Sequence, residues 1–173
     1  MLNSGAMADL QDRRAPADAP SRMAYLRQAL CSLQWLQFNR CMAAELAQGL
    51  PPEELQALFR RLGQRFAQAL PVPSCASLEQ LEQAFNAHWE PLRWGYVVLS
   101  EQAACLDIRH ACHPLDAAFA PEGAQWAPAF FEGVYQTWLS AQGSPATLRV
   151  TAQADPASPE DGVYLILARE ALP

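Results

Sequence analysis

Two cysteines and two histidines lie within nine residues of one another in the middle of the sequence: Cys105, His110, Cys112 and His113. Thiolate and imidazole groups are the usual protein ligands of zinc, so the composition suggests a metal site. The spacing argues against one. On a β-strand, His110 and Cys112 share a face while His113 points away from them. A tetrahedral site requires the strand to break directly after His110, which Pro114 would permit.

The alternative to a metal site is an ordinary strand end. In that interpretation Cys105 shares a face with Asp107 and Arg109, the small thiols pack inward, and the two histidines sit at the rim of the sheet. We therefore predict no metal and no other cofactor, and we keep the four residues only as candidates.

No cysteine or serine stands in a context typical of a catalytic nucleophile. A catalytic cysteine needs a histidine partner and an electropositive, partly exposed setting. Cys31 and Cys41 fall in a predicted helix and Cys75 in a proline-bounded loop, and no serine follows the nucleophile-elbow pattern. The eight glycines are dispersed singly, so none of them builds a phosphate-binding loop. The sequence predicts a protein without catalytic residues.

Aromatic residues form a second set of candidates. Aromatic faces suit sugar rings, so some of the five tryptophans could stack on carbohydrate. Packing in a core or at an interface is the commoner role for such side chains. As structural or interface anchors we single out Trp94, Trp126, Tyr135 and Trp138.

The first predicted element is a long helix over residues 21–49. Apolar residues recur at helical spacing, and Gly49 followed by two prolines ends the pattern. The apolar stripe drifts along the helix, which indicates burial on more than one side or sharing with a second chain. Arg27, Gln34 and Arg40, on the polar side, are candidates to face a channel or a neighbour, with solvent as the default alternative.

The remaining pattern predicts an α+β domain in which an antiparallel sheet packs against helices. Ser77 and Gln80 form a capping box at the start of one helix. The first and the fourth helix are both apolar on most of their surface, and one small sheet cannot cover both, which predicts a buried face between subunits. We predict a disordered arm over residues 1–20 and one domain over 21–173. The further elements are helices over 52–70, 77–89 and 126–142 and strands over 96–99, 106–111, 148–152 and 163–168.

Charge and hydropathy exclude several classes of function. The net charge is −6 and all twelve basic residues are arginines, never more than two in a row, so phosphate-driven binding of nucleic acid is excluded. No stretch approaches the roughly 20 apolar residues of a membrane helix, and the first residues lack a secretory pattern. Five cysteines show no disulfide framework. These features predict a cytoplasmic protein, with the periplasm as the alternative.

Several short motifs resemble the D-subunit family of cellulose synthase. The resemblance covers about residues 23–169 and includes the proline-rich break after the second helix. The cysteines around His110 and the acidic arm before residue 21 depart from the family pattern. The motifs are Trp94-Gly95 before a strand, Leu106-x-Ile108-x-His110, Trp126-Ala-Pro, and Glu132-Gly133-x-Tyr135-x-x-Trp138-x-x-x-Gln142.

The resemblance implies a non-catalytic accessory subunit of a bacterial cellulose secretion system. Members of the family form dimers that assemble into a cylindrical octamer and promote ordered, crystalline cellulose. In one account the ring is periplasmic and glucan chains pass through it. In the other, cytoplasmic rings stack with a proline-rich cellulose-complementing partner and align synthase complexes. The first residues show no signal sequence and the cysteine spacing matches no disulfide framework, and both observations favour the cytoplasmic account.

Two other functions stay open at this point. A secretion chaperone, a small acidic α+β dimer, shares the size, the charge and the lack of catalytic groups, but it does not explain the family motifs. A chaperone should stop at a dimer, whereas the scaffold should form a larger ring. A metal-dependent or thiol enzyme built on residues 105–113 is the second alternative, and stoichiometric zinc in the purified protein would favour it.

Overall fold

The computed structural model describes residues 31–153 and 162–169. Three helices precede a hairpin, and a further long helix lies between that hairpin and a second pair of strands, as the α+β prediction requires. The elements in chain order are α1 (Leu33–Gly49), α2 (Pro52–Ala69), α3 (Leu78–Leu92), β1 (Tyr96–Glu101), β2 (Leu106–Ala111), α4 (Leu115–Phe119), a 3-10 turn (Glu122–Gln125), α5 (Ala129–Ala141), β3 (Leu148–Gln153) and β4 (Gly162–Arg169).

The four strands form one antiparallel sheet in the order β1-β2-β4-β3. The β1–β2 hairpin that the alternation predicts is confirmed, with Val98 opposite Arg109. Inward residues such as Val97, Ile108 and Leu165 are buried against helices α3 and α5. The sheet is thus covered by helices on one face.

Helix α5 lies between α2 and the sheet. Both of its apolar stripes are buried within the chain: Phe130 and Trp138 on one, Phe131 and Tyr135 on the other. Helix α5 therefore contributes no apolar face to a contact between subunits, whereas α1 exposes Trp35 and Phe38, so for the first helix that face stays a prediction. The close approach of α2, described below, supplies the cover that a small sheet alone lacks.

The first helix differs from its prediction at its start. Cys31 and Ser32 are not helical, and α1 begins at Leu33, where the Ser32 carbonyl accepts from the backbone N–H of Trp35 and Leu36. The helix predicted over 21–49 therefore does not run through residues 31 and 32, and Cys31 precedes α1. The predicted arm over 1–20, Arg27 and the helical prediction over 21–30 fall outside the described residues.

Local signals set the start of two helices. Ser77 Oγ accepts from the Gln80 backbone N–H at 3.2 Å, and Gln80 Oε1 accepts from the Ala76 N–H at 2.9 Å, so the predicted capping box is confirmed with its return bond shifted by one residue. Helix α5 begins at Ala129 after Pro128, not at Trp126. Helix α4 was not predicted. Among the described residues, no helix is long and apolar enough to cross a membrane.

Candidate functional site

The four candidate metal ligands do not converge. Strand β2 ends at Ala111, and Cys112 adopts the left-handed conformation with φ of 60°. The turn directs His113 into the core, where its ring centroid is 5.8 Å from that of His110. Both histidines are 1% exposed. The predictions that they sit at the rim, and that His113 points away from His110, are therefore wrong.

The two thiols lie elsewhere. Cys105 Sγ is 3.7 Å from Asp107 Oδ1, as expected for two residues on one strand face, and Cys112 lines a surface cavity beside α3. Both cysteines are half-buried, so the prediction of inward-packed thiols is also wrong. Desolvation and the Asp107 carboxylate raise the pKa of the Cys105 thiol, which disfavours a reactive thiolate. In the described part of the chain, no three His, Cys, Asp or Glu side chains stand close enough to hold a metal ion.

His110 links the strand to two other parts of the core. Its Nε2 is 2.6 Å from the Trp94 carbonyl oxygen, and its Nδ1 is 2.6 Å from the Tyr135 hydroxyl. A carbonyl only accepts, so Nε2 carries the proton and Nδ1 accepts from Tyr135. Burial lowers the pKa of His110 to about 3. The ring is therefore neutral near pH 7 and holds a fixed pair of hydrogen bonds.

Glu132, the first residue of the α5 motif, joins that helix to both of its neighbours. Its Oε2 accepts from Arg60 Nε of α2 at 3.0 Å and also pairs with the Arg60 Nη2. Its Oε1 accepts from the Ala152 backbone N–H of β3 at 2.9 Å. The carboxylate is buried with both oxygens occupied, so it acts as a structural joint.

Trp138 and Gln142, at the end of the α5 motif, form hydrogen bonds with the backbone at the end of α2 and in the loop that follows it. Trp138 Nε1 donates to the Leu70 carbonyl at 2.8 Å. Gln142 Oε1 accepts from the Cys75 backbone N–H at 2.9 Å, and its Nε2 donates to the Pro73 carbonyl at 3.0 Å. The proline-rich break is thus fixed by side chains from the far end of α5.

Three motif and neighbouring glycines allow close backbone approach. A Cβ at Gly133 would lie 2.0 Å from the Arg60 carbonyl oxygen, and one at Gly63 would lie 1.9 Å from that of Phe130. Helices α2 and α5 therefore cross in direct backbone contact. Gly95 has φ of 81°, and its Cβ would lie 1.8 Å from the Ala111 carbonyl oxygen.

The predicted aromatic anchors pack inside the chain. Trp126, Tyr135 and Trp138 are almost fully buried, and Trp126 contacts Phe59 at a ring-centroid distance of 4.5 Å. Trp94 is half-buried and stacks near Trp89, 6.0 Å between centroids. Their described contacts are those of a core, and a role in contacts between subunits stays a prediction.

Sequence reasoning missed the joint between Arg60 and Glu132, which are 72 residues apart. One signal was available: a carboxylate in an otherwise apolar helix seldom stays buried without a partner. Of the predicted channel- or partner-facing residues, Gln34 is exposed on α1. Arg40 is half-buried and lines a surface cavity that also includes Glu122.

Both edges of the sheet are occupied by helix side chains. On each edge strand, two backbone N–H groups that point away from the sheet donate to polar side chains of α3 or α5. An edge with bonded N–H groups is a poor template for adding another strand. The pairs are Val97 to Asn86 (2.8 Å) and Leu99 to Glu82 (2.7 Å) on β1, and Val150 to Gln136 (2.8 Å) and Ala152 to Glu132 (2.9 Å) on β3.

Unlike the sheet edges, two apolar surfaces of the described chain are exposed to solvent. The first, the α1 flank, consists of Trp35 and Phe38, whose rings meet edge to face at 5.8 Å. The second, the outer sheet face, is the side of the sheet away from the helices. It consists of Tyr96 and Val98 of β1, Asp107 and Arg109 of β2, and Tyr164 and Ile166 of β4.

The outer sheet face also carries an ordered polar pair. The Arg109 guanidinium lies 5.4 Å from the centroid of the Tyr164 ring, and the Tyr164 hydroxyl donates to Asp107 Oδ1 at 2.9 Å. Tyr96 and Val98 beside them are 52% and 45% exposed. The face therefore combines fixed charges of both signs with uncovered apolar side chains.

Comparison with known protein families supports the resemblance that the motifs indicate. The family model of the cellulose synthase D subunit matches residues 21–164, more than four fifths of the chain. Comparison with curated protein sequences gives no match. The match spans every motif residue from Trp94 to Gln142. The family is that of an accessory subunit associated with a cellulose synthase, not of the catalytic one. The chain therefore belongs to the D-subunit family of cellulose synthase and has a role in cellulose synthesis.

Proposed function

We propose that the protein is a non-catalytic scaffold subunit of a bacterial cellulose secretion system, and that its copies assemble into a ring. The ring would fix the spacing of attached synthase complexes, so that nascent glucan chains emerge close together and associate into crystalline cellulose. Family membership supports the pathway. The observation that carries self-assembly is the outer sheet face, where Tyr96 and Val98 leave apolar area in water.

Packing of this face on a second copy is favoured over strand addition at an edge. The edge N–H groups of β1 and β3 are already bonded to helix side chains. Sheets that pack face to face lie about 10 Å apart and bury the side chains between them. The apolar side chains of β1 and β4 suit such a contact.

The charges on the face are self-complementary. Asp107 and Arg109 lie two residues apart on β2 and point to the same side. In a contact with two-fold symmetry, residue i of one copy meets residue j of the other, and j meets i. Antiparallel placement of two β2 strands would bring each Arg109 towards the Asp107 of the second copy.

The mass of the assembly in solution tests the proposal. We expect the wild-type protein at micromolar concentration to be larger than a dimer by light scattering. Val98→Arg should reduce the mass at least by half, because the charge is placed within the contact. Leu62→Arg is the matched control, since Leu62 is 43% exposed and Val98 45%, but Leu62 lies on α2.

Three results would contradict the proposal. If the wild-type protein is a monomer, it does not self-assemble. If it stops at a dimer, the secretion-chaperone function is favoured over the ring-forming scaffold. If Val98→Arg keeps the full mass while Phe38→Arg loses it, the α1 flank is the assembly surface. Circular dichroism of each variant establishes that it is folded.

We further propose a cytoplasmic position, with the cellulose synthase complex and a proline-rich cellulose-complementing protein as partners. All five cysteines are free thiols, in keeping with a reducing compartment. In cells, Val98→Arg should leave the amount of glucan unchanged but lower its crystallinity by X-ray diffraction, and Leu62→Arg should lower neither. Loss of glucan itself with Val98→Arg would instead indicate a role in synthesis.

A further inference from the structure

A two-fold contact through the outer sheet face joins only two copies. Each copy uses the same surface in such a contact, so the surface is fully occupied once the dimer has formed. An assembly larger than a dimer therefore needs a second contact through a different surface of each copy. The α1 flank is the other exposed apolar surface of the described chain.

Helix α1 is poorly covered by the rest of the described chain. Of its 17 residues only Ala43 is buried there, and Trp35 and Phe38 are 59% and 57% exposed. Helices in proteins owe most of their stability to the packing of an apolar face. The flank therefore leaves aromatic area that a partner can cover.

A groove of about 380 Å³ lies beside the flank. Trp35 of α1, Leu92 and Trp94 near the end of α3, and Leu115 and Phe119 of α4 line it. Leu115 and Phe119 are buried and form an apolar floor, whereas Leu92 is 43% exposed at the rim. An apolar cavity of about 150 Å³ holds a benzene-sized group, so the groove has room for an aromatic ring.

Phe38 and the groove lie on opposite sides of Trp35. Successive helix residues are about 100° apart around the axis, which places Asn39 about 40° to one side of Trp35 and Phe38 about 60° to the other. Asn39 lines the groove, so the groove opens on the side of α1 away from Phe38. A two-fold axis parallel to α1 exchanges the two sides, and it brings Phe38 of each copy opposite the groove of the other. The surface is thus complementary to itself.

We propose that Phe38 of each copy inserts into this groove of a second copy, and that the α1 flank is the second contact of the ring. This contact rests on the proposed scaffold function, because it joins the dimers that the outer sheet face forms. Two different two-fold contacts that alternate around a ring close it with an even number of copies. A membrane surface suits the flank less well, since Arg40, the one basic residue of α1, lies about 140° from Trp35 around the helix.

Light scattering on arginine variants of the full chain tests the contact. Phe38→Arg removes the inserted ring, and Leu92→Arg places a charge at the rim of the groove. Each should lower the mass of the wild-type assembly to that of a dimer, because the outer sheet face still pairs two copies. Leu62→Arg is the matched control and should keep the wild-type mass, since Leu62 and Leu92 are both 43% exposed. Leu92→Arg combined with Val98→Arg should give a monomer.

Quenching of tryptophan fluorescence by acrylamide reports whether a second copy covers the groove. The accessible signal comes from Trp35 and Trp94, which both line the groove, because Trp89, Trp126 and Trp138 are almost fully buried. We expect the quenching constant of the wild type to rise when dilution dissociates the assembly. That of Phe38→Arg should be the same at every concentration.

Two results would overturn the inference. One is a wild-type mass in folded Phe38→Arg or Leu92→Arg protein, and the other is a wild-type quenching constant that stays the same when the assembly dissociates. Either result with a wild-type assembly larger than a dimer removes this contact alone, whereas a wild-type protein no larger than a dimer removes the scaffold proposal itself. Circular dichroism establishes that each variant is folded. Phe38→Leu, which keeps an apolar side chain for the groove, should keep the wild-type mass.

Discussion

At the scale of single residues, His110 makes stability depend on pH. Burial lowers its pKa from 6.5 to about 3 in the folded protein. Below pH 6.5 the unfolded chain takes up a proton that the folded chain refuses, so acid favours unfolding. The contribution of neutral His110 is complete above pH 6.5 and is lost as the pH falls towards 3, by about 1.4 kcal/mol per pH unit.

A His110→Gln variant isolates this effect. Glutamine does not titrate, so the variant should be less stable at pH 7, through poorer hydrogen bonds to Trp94 and Tyr135, but less sensitive to acid. Between pH 7 and pH 5 we expect the free energy of unfolding of the wild type to fall by about 2 kcal/mol more than that of the variant. Urea titrations at both values measure the difference. Parallel pH profiles would contradict the assignment.

In the ion pair between Arg60 and Glu132 only the carboxylate is buried, so replacing one partner or the other should have unequal effects on stability. The Arg60 side chain is 43% exposed and can turn to water, whereas that of Glu132 is 11% exposed and cannot. Arg60→Met leaves a buried carboxylate without its cation and should cost about 3–5 kcal/mol of unfolding free energy. Glu132→Gln removes the charge but keeps the shape and an acceptor for Ala152, and should cost about 1–3 kcal/mol. Equal losses in urea denaturation would mean that the arginine depends on the pair as much as the carboxylate does.

At the scale of elements, the crossing of α2 and α5 depends on the absence of a side chain. Gly133→Ala would place a methyl group 2.0 Å from the Arg60 carbonyl oxygen, which is backbone and cannot turn aside. We expect a loss of at least about 1–3 kcal/mol. In α1, a Cβ at Gly49 meets no atom within 4 Å, so Gly49→Ala should change stability by less than about 1 kcal/mol. Thermal denaturation of the two variants compares them, and a Gly133→Ala protein as stable as the wild type would show that the helices can separate without cost.

How far the sequence predicts each element depends on how local its cause is. Helix α3 and the β1–β2 hairpin were predicted because a capping box and strict alternation are short-range signals. The break at Cys31 and Ser32 contains neither glycine nor proline, and the five residues of α4 are too few for a period. The left-handed conformation of Cys112 is rare for a residue with a side chain, so no pattern predicted that His113 turns into the core.

The sequence identified the residues of the α5 motif but did not predict what their side chains do. The motif from Glu132 to Gln142 identified the family, yet its side chains bind to α2, β2, β3 and the loop after α2. These contacts join residues up to 72 positions apart, and one sequence without an alignment does not reveal such partners. The same contacts explain the motif: it specifies how α5 is held, and it leaves partner binding to other surfaces.

At the scale of the whole molecule, the outer sheet face is the side of the sheet that the helices of the described chain leave uncovered. Helices bury one side of the sheet, helix side chains occupy both edges, and α5 has no apolar face left over. The remaining side carries Tyr96 and Val98 in water beside the ordered pair of Arg109 and Tyr164. A scaffold needs a surface that recognises its own copies, and this one offers both apolar area and opposite charges.

A charge exchange on β2 tests that recognition. Arg109→Asp should weaken self-assembly, because it sets two carboxylates of one copy against those of the next, and like charges across a contact are repelled. Adding Asp107→Arg restores one positive and one negative residue per copy in reversed order, and the same two-fold contact can pair them again. We therefore expect the double variant to recover the mass that Arg109→Asp loses, measured by light scattering at low salt, where such pairs are least screened. A wild-type mass in the single variant would contradict the pairing, and so would a double variant no larger than the single one. Because both variants alter the contacts of Tyr164, unchanged circular dichroism is the condition under which recovery of mass reports on the contact between copies.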